Sequence, residues 1–181
     1  MRQRLQQAAL ELITERGYDQ TTAGMIAARA GVTERTFFRH FSDKREMFFD
    51  GEEELRDLLV RAVAGVAPRT RPLPALRAAF HEAVPLLERN RPVTEPRAKL
   101  LADVPALKER SLAKTAALVA ALTEALCARG VDPPAAALCA QIGMDTFAAA
   151  AHRWMQHPAT PLHEQLDATF NDLRLAAAAL K

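Results

Sequence analysis

The chain has 181 residues, 49% of them hydrophobic and 25% charged, and carries a formal net charge of +2. That length suits one compact unit or a small domain joined to a larger one, with enough apolar residues for a real core. Near-neutral charge excludes a protein that holds nucleic acid by bulk charge, so any such binding must rest on a local basic face. There is no charged leader with a cleavage site and no apolar run near 18 residues, which predicts a soluble, cytoplasmic protein with no membrane partner. The two cysteines, Cys127 and Cys139, lie in Ala- and Leu-rich stretches and read as reduced, buried, small apolar residues.

Leu5, Ala8, Ala9, Leu12 and Ile13 recur at helical spacing, so residues 3–16 form an amphipathic first helix that Gly17 ends and Tyr18 folds back against. Arg2 and Arg4 precede it, as solvated residues or within reach of a phosphate. Thr22 is placed to cap a second helix with Ile26, Ala27 and Ala30 on one face, and Gly31 closes it. Thr33 caps a third helix whose Phe37 and Phe41, four residues apart, share the inner face. Its outer side carries Glu34, Arg35, Thr36, Arg39 and His40. Residues 29–45 hold five cations against two anions, a local net of +3. Helix, tight turn and cation-bearing helix make a helix-turn-helix pattern.

Asp43 and Glu46 have capping-box spacing, so a fourth helix is expected from Asp43 to about residue 66, with Gly51 inside it as a flexure. Lys44 sits in its first turn, where the helix dipole disfavours a cation; an anionic phosphate partner accounts for it. A proline-rich connector, residues 67–74, leads to a fifth helix with Leu76, Phe80, Val84 and Leu87 inside. Pro85 should kink it and Arg91-Pro92 should end it. Thr94 caps a short sixth helix through Leu101; Asp103 and Pro105 open a long seventh ending at Gly130. Asp132-Pro133-Pro134 starts an eighth that runs to about Gln156. A ninth follows with Leu162, Leu166, Thr169 or Phe170, Leu173, Ala177 and Leu180 at bundle-seam spacing.

Thr21-Thr22, Ile26-Ala27, Ala30-Gly31-Val32-Thr33, Thr36-Phe37-Phe38-Arg39-His40-Phe41 and Lys44 together resemble the DNA-binding signature of TetR-family transcriptional regulators, over roughly residues 4–50. The resemblance implies an all-α fold of about nine helices: a three-helix DNA-binding domain, residues 1–46, and a larger helical ligand-binding and dimerisation domain, residues 47–181. It implies that Thr33, Glu34, Arg35 and Thr36 face base edges, with Arg35 the strongest candidate because guanidinium can bind guanine O6 and N7 together. Glu34 either accepts from cytosine or sets the Arg35 rotamer. His40, Lys44 and the Thr22 helix start match phosphate-contacting positions, and Arg39 either joins them or stays solvated. Phe38 replaces the family's usual tyrosine and offers a ring, not a hydroxyl, to the DNA. Gly24 and Met25 stand where capping or DNA-contacting polar residues are common. The aromatic cluster 37, 38, 41, 48 and 49 reads as core, with Phe38 or Phe49 partly exposed, rather than as a stacking platform for single strands.

The resemblance also implies a homodimer through the last two helices, reading a palindromic double-stranded operator, and a cavity for a small effector. The stretch from Arg97 to Trp154, with Leu100-Leu101, Pro105-Ala106-Leu107, Lys114 and Arg153-Trp154, is similar to C-terminal domains of actinobacterial regulators, including those of the mycofactocin system, which hints at hydrophobic or acyl-type effectors. Candidate lining residues are Phe80, His81, Val84, Leu101, Gln141, Met144, Phe147 and Trp154. No metal or cofactor is expected, and no enzyme: His152, His157 and His163 lack metal-ligand spacing, and no phosphate loop, nucleophile elbow or carboxylate–histidine pair appears. The expected function is a repressor released from its operator by a hydrophobic effector. The alternatives are a regulator governed by a protein partner, and a helical-bundle enzyme or binding protein with a decayed DNA domain.

Overall fold

The computed structural model describes residues 1–49 and 51–179, and the side chains of Pro92, Val93, Arg97, Lys99, Leu101 and Ala102 lie outside the described set. The described residues form helices and no strand, as expected: α1 (Arg2–Arg16), α2 (Ala23–Arg29), α3 (Glu34–His40), a 3-10 turn (Glu46–Phe49), α4 (Glu52–Gly65), α5 (Pro72–Asp103), α6 (Pro105–Ala128), α7 (Pro133–Gln156) and α8 (Leu162–Ala178).

Two boundaries differ from the sequence reading. The expected fourth helix is split. Asp43 caps only the short 3-10 turn, its Oδ1 accepting from the backbone N–H of Arg45 at 2.6 Å and Glu46 at 2.9 Å. Gly51 follows at φ +89°, outside any helix, and α4 starts after it. The expected fifth and sixth helices are instead one helix of 32 residues that runs through Pro85, Pro92 and Pro96. A proline in a helix removes one N–H and crowds one carbonyl; here these local losses do not outweigh the packing on either side. Thr94 lies inside this helix, and its hydroxyl donates back to the Asn90 carbonyl rather than capping a new start.

The chain divides into two compact units, Met1–Glu52 with Asn90–Leu112, and Glu53–Arg89 with Ala113–Lys181. The helix-turn-helix expected within residues 1–46 sits whole in the first. That unit's core is built from Leu5, Ala9, Ile26, Phe37, Phe41, Met47, Phe48 and Phe49, all buried, and is completed by Leu107 from the first turn of α6. Phe49 is therefore interior, and Phe38, 51% exposed, is the aromatic left outside. The second unit packs α4, α5, α6, α7 and α8 around Leu59, Leu76, Phe80, Leu122, Leu126, Phe147, Trp154 and Leu166. Gly143 on α7 is required there: a Cβ would lie 2.8 Å from Leu76 Cδ1, so α5 and α7 approach closely at that point.

Helix α6 departs from the expectation of no apolar run near 18 residues. An 18-residue window within it has mean hydropathy 1.4, and only 11% of the window is buried. By length and composition alone it could cross a membrane. Its apolarity is largely alanine, with Leu112, Ala113, Ala116, Ala117 and Ala120 exposed along its side.

Tyr18 packs against Phe48 with its hydroxyl buried and without a hydrogen-bond partner, and burial also raises its pKa. Tyr18→Phe should remove that desolvation penalty and stabilise the protein by roughly 1–3 kcal/mol, read as a higher Tm. Gly51→Ala would force a Cβ into positive φ, and we expect a loss of about 1–2 kcal/mol in chemical denaturation rather than the gain of an alanine placed inside a helix.

Candidate nucleic-acid interface

Helix α3 has seven residues, too few to hold itself, so its ends are fixed by side chains. At its N-terminus Thr33 Oγ1 accepts from the Thr36 N–H at 3.2 Å and lies 3.0 Å from Thr36 Oγ1. At its C-terminus Arg2 Nη2 donates to the His40 carbonyl at 2.9 Å, and the Arg2 guanidinium sits 5.0 Å from the centre of the Phe41 ring. Phe37, fully buried beneath, meets Phe38 edge-on and Phe41 at a tilt.

The preceding helix is held in the same way. Thr22 Oγ1 accepts from the Met25 N–H at 3.2 Å, the cap expected from the sequence. Arg4 donates to the Ala30 carbonyl through Nε at 3.1 Å and also through Nη2. Arg29 pairs with Glu15 at 2.7 Å and Glu11 at 3.4 Å on α1; the Glu15 bonds raise the guanidinium's pKa and lower the Glu15 carboxyl's.

These contacts sort the basic residues. Arg2, Arg4, Arg29 and Arg45 are engaged within the protein, Arg45 on Asp43 at 3.1 Å. For Asp43, burial pushes the carboxyl up, but the N–H groups of Glu46 and Arg45 and the Arg45 side chain outweigh it and leave the pKa lowered. Lys44 donates to the carbonyls of Tyr18 at 2.7 Å and Thr21 at 3.0 Å, and its ammonium lies 4.0 Å from the centre of the Tyr18 ring. Desolvation lowers its pKa. Lys44 thus pins the α1–α2 loop, a role that the helix-dipole argument did not anticipate. Arg35 and Arg39 are exposed on α3 with no hydrogen bond or ion pair among the described residues. Being four apart, they share one face, a like-charge arrangement that an anion between or across them relieves.

Thr33, Glu34 and Phe38 are exposed beside that pair, and Thr36 and His40 are half-buried. The Glu34 carboxylate lies 3.4 Å from the point a Gly24 Cβ would occupy, so Gly24 leaves room for Glu34 to lean over the start of α2. This packing accounts for Gly24 at a position where polar residues are common.

Sequence reasoning missed Arg110, and it read Leu107 as part of the buried stripe of its own helix without showing that it completes the first unit's core. Arg110 Nη2 donates to Glu46 Oε1 at 2.6 Å and Oε2 at 2.9 Å, a bond that raises the Arg110 pKa. A partner 64 residues away in sequence leaves no local signal. Arg2 and Arg4 did leave one: α1 has no acidic residue in its first turn, so two cations there work against its dipole and need a partner elsewhere.

In the second unit, Phe80, Val84, Met144, Phe147 and Trp154 are buried, with the Phe80 and Phe147 rings stacked 4.6 Å apart. His81 Nε2 lies 2.7 Å from Asp167 Oδ1, which Arg77 also binds at 2.8 Å. Burial raises the Asp167 carboxyl's pKa, but these two partners outweigh it and hold it lowered. Gln141 donates to Asp145 at 3.0 Å on exposed α7 surface. The Leu101 side chain lies outside the described residues.

Residues 5–50 match the family described as bacterial regulatory proteins, tetR family, and residues 70–178 match the MftR C-terminal domain. The HTH-type transcriptional regulator TcmR of Streptomyces glaucescens is 35% identical over 79 residues, 44% of this chain and 35% of TcmR, so the match spans about a third of that relative's length. The TetR-family repressor FadR of Thermus thermophilus, solved in complex with lauroyl-CoA, aligns over 94% of this chain and 92% of its own, with 26% identity and a TM-score of 0.58. SmeT, repressor of the Stenotrophomonas maltophilia multidrug efflux pump SmeDEF, shares the fold at 21% identity and a TM-score of 0.60 over 98% of this chain and 89% of its own. With its helix-turn-helix and its C-terminal domain both matched, the chain belongs to the TetR family of bacterial transcriptional regulators.

Proposed function

We propose that this regulator is a cytoplasmic repressor that binds a palindromic double-stranded operator as a homodimer and leaves it when a small hydrophobic effector binds. The observation that carries the DNA reading is the pair of unpartnered arginines, Arg35 and Arg39, on the exposed face of a helix whose two ends are tied down. Arg35 is assigned to a guanine edge, and Arg39, His40 and the Thr22 helix start to phosphates. Thr33 and Thr36 also face the DNA, with their hydroxyls partly committed to each other. Phe38 offers a ring to sugar or a thymine methyl.

One short helix discriminates too little, which supports a two-fold dimer on half-sites about 34 Å or a multiple apart. The stripe Leu162, Leu166, Phe170 and Leu173 packs into its own unit, so the interface must use the opposite faces of α7 and α8. Those carry Leu138, Gln141, Asp145, Ala148, Ala149 and His152 on α7, and Ala168, Asn171, Leu175 and Ala178 on α8, at alternating threes and fours. Leu138 is 61% and Leu175 53% exposed. Helix α8 is already fixed by Glu88, which accepts from the Leu162 N–H at 3.2 Å, and by Arg153 on Asp172 at 2.8 Å.

For the effector we assign the cluster of Phe80, His81, Val84, Met144, Phe147 and Trp154, without Gln141, which is exposed on α7. The stacked Phe80–Phe147 rings would have to part, so binding there is coupled to repacking. The lauroyl-CoA held by the Thermus relative supports an acyl-type ligand.

In a gel shift, the protein should retain selected duplexes from a random pool with strong salt dependence, and lauroyl-CoA should release them; no sequence-selective, salt-dependent binding to any duplex would end the repressor reading. Arg35→Ala should relax specificity at one position of each half-site by roughly 1–3 kcal/mol without changing Tm. Lys44→Ala should weaken all sequences alike and also lower Tm, because two loop carbonyls lose their donor. Leu138→Arg with Leu175→Glu should give a folded monomer in analytical ultracentrifugation with weakened operator binding; an unchanged dimer would place the interface elsewhere.

A further inference from the structure

The second unit contains nine arginines. Six are engaged: Arg56 on Asp57, Arg77 on Asp167, Arg89 near Glu54, Arg129 on backbone carbonyls, Arg153 on Asp172 and Arg174 on Asn171. The other three, Arg61, Arg69 and Arg71, have no hydrogen bond or ion pair among the described residues, and all are exposed. All three lie on the hairpin of α4, connector and α5. From Leu58 to His81 the sequence holds four arginines and no acidic residue.

The same hairpin contains a groove of about 430 Å³ lined by Leu58, Arg61, Ala62, Gly65, Val66, Ala78 and Glu82. That volume falls within the range of small-molecule sites. Its α4 wall is fixed from elsewhere: Arg129 donates to the carbonyls of Val63 at 3.0 Å, Val66 at 2.7 Å and Ala67 at 2.8 Å, capping the end of that helix. Gly65 and the two alanines keep the floor low. Arg61 is about one turn from the end of α4, close to the connector, whereas Glu82 is nearly three turns into α5. Arg61 thus stands in the groove wall nearer the connector that carries Arg69 and Arg71, and Glu82 stands farther from it.

We propose that this groove binds a small anionic amphiphile, its head group on Arg61, with the field of Arg69 and Arg71 on the adjoining connector favouring an anion, and its apolar body along Leu58, Ala62, Val66 and Ala78. The carboxylate of Glu82 repels an anion placed the other way round and so fixes the polarity of the bound molecule. The site shares no residue with the cluster assigned to the effector, and its occupancy is read without DNA.

Isothermal titration of the full-length protein with decanoate, and with decyltrimethylammonium as the cation of equal chain length, tests the assignment. Decanoate should bind and weaken with added salt, and the cation should not bind. Arg61→Gln, and separately Ala78→Phe to fill the groove, should each weaken decanoate about 10-fold. Both positions are exposed, and thermal melts check that the variants fold. Arg174→Gln, an exposed arginine outside both the groove and the effector cluster, should leave decanoate binding unchanged. No decanoate binding, equal binding of the two head groups, or affinity within twofold of wild type in both groove variants would overturn the proposal.

Discussion

The orientation of α3 depends on cations that are bound within the protein. Helices of seven residues cannot offset their own nucleation, and each leaves carbonyls at its C-terminus without partners. Arg4 takes the carbonyl of Ala30 at the end of α2, Arg2 takes that of His40 at the end of α3, and Lys44 takes two carbonyls in the loop before α2. Charge-assisted bonds of this kind are stronger than neutral ones, and here they are partly shielded from water. With Phe37 buried below, they give α3 one orientation, and Arg35 and Arg39 inherit it. Specificity at a base edge needs this pre-set geometry, since a guanidinium that must first be ordered loses part of the energy of its bidentate contact.

The same device recurs in the second unit with both signs. Arg129 collects three carbonyls at the end of α4, and Glu88 accepts the first N–H of α8, whose own N-cap, Pro161, makes no side-chain cap bond. Asp167 draws Arg77 and His81 from α5 to the middle of α8. These bonds join residues 62 to 90 positions apart. They fix helix ends that alanine-rich packing alone leaves free to slide, because alanine surfaces interlock poorly.

What the sequence revealed follows from the range of each interaction. Thr22, Thr33, Gly17 and the Phe37–Phe41 spacing act within five residues, and the structure has them as read. The 3-10 turn was not legible, because Asp43 and Glu46 have the spacing of a capping box, which reads as the start of an α-helix. The prolines of α5 misled for a related reason. Each is a local penalty of about 3 kcal/mol, and the continuous helix shows that tertiary packing exceeded it. Leu107 looked like an ordinary position in a long amphipathic helix; nothing near it in sequence says that it completes the core of the N-terminal unit.

Counting cations in residues 29–45 correctly located a basic segment but misjudged which charges face out. Arg29 and Arg45 are neutralised by acidic residues and Lys44 is turned inward, so the outward charge reduces to Arg35 and Arg39 on a single helical face with Glu34 exposed beside them. A protein with net charge of only +2 can bind a polyanion on that basis, because potential at a surface is set by the nearest unpaired charges. The same criterion, applied to the second unit, leaves Arg61 in the wall of a groove and Arg69 and Arg71 on the connector that follows α4. Unpaired arginines are candidates for an outside anion where, as on α3 and along this groove, the surface beside them can hold the rest of a ligand.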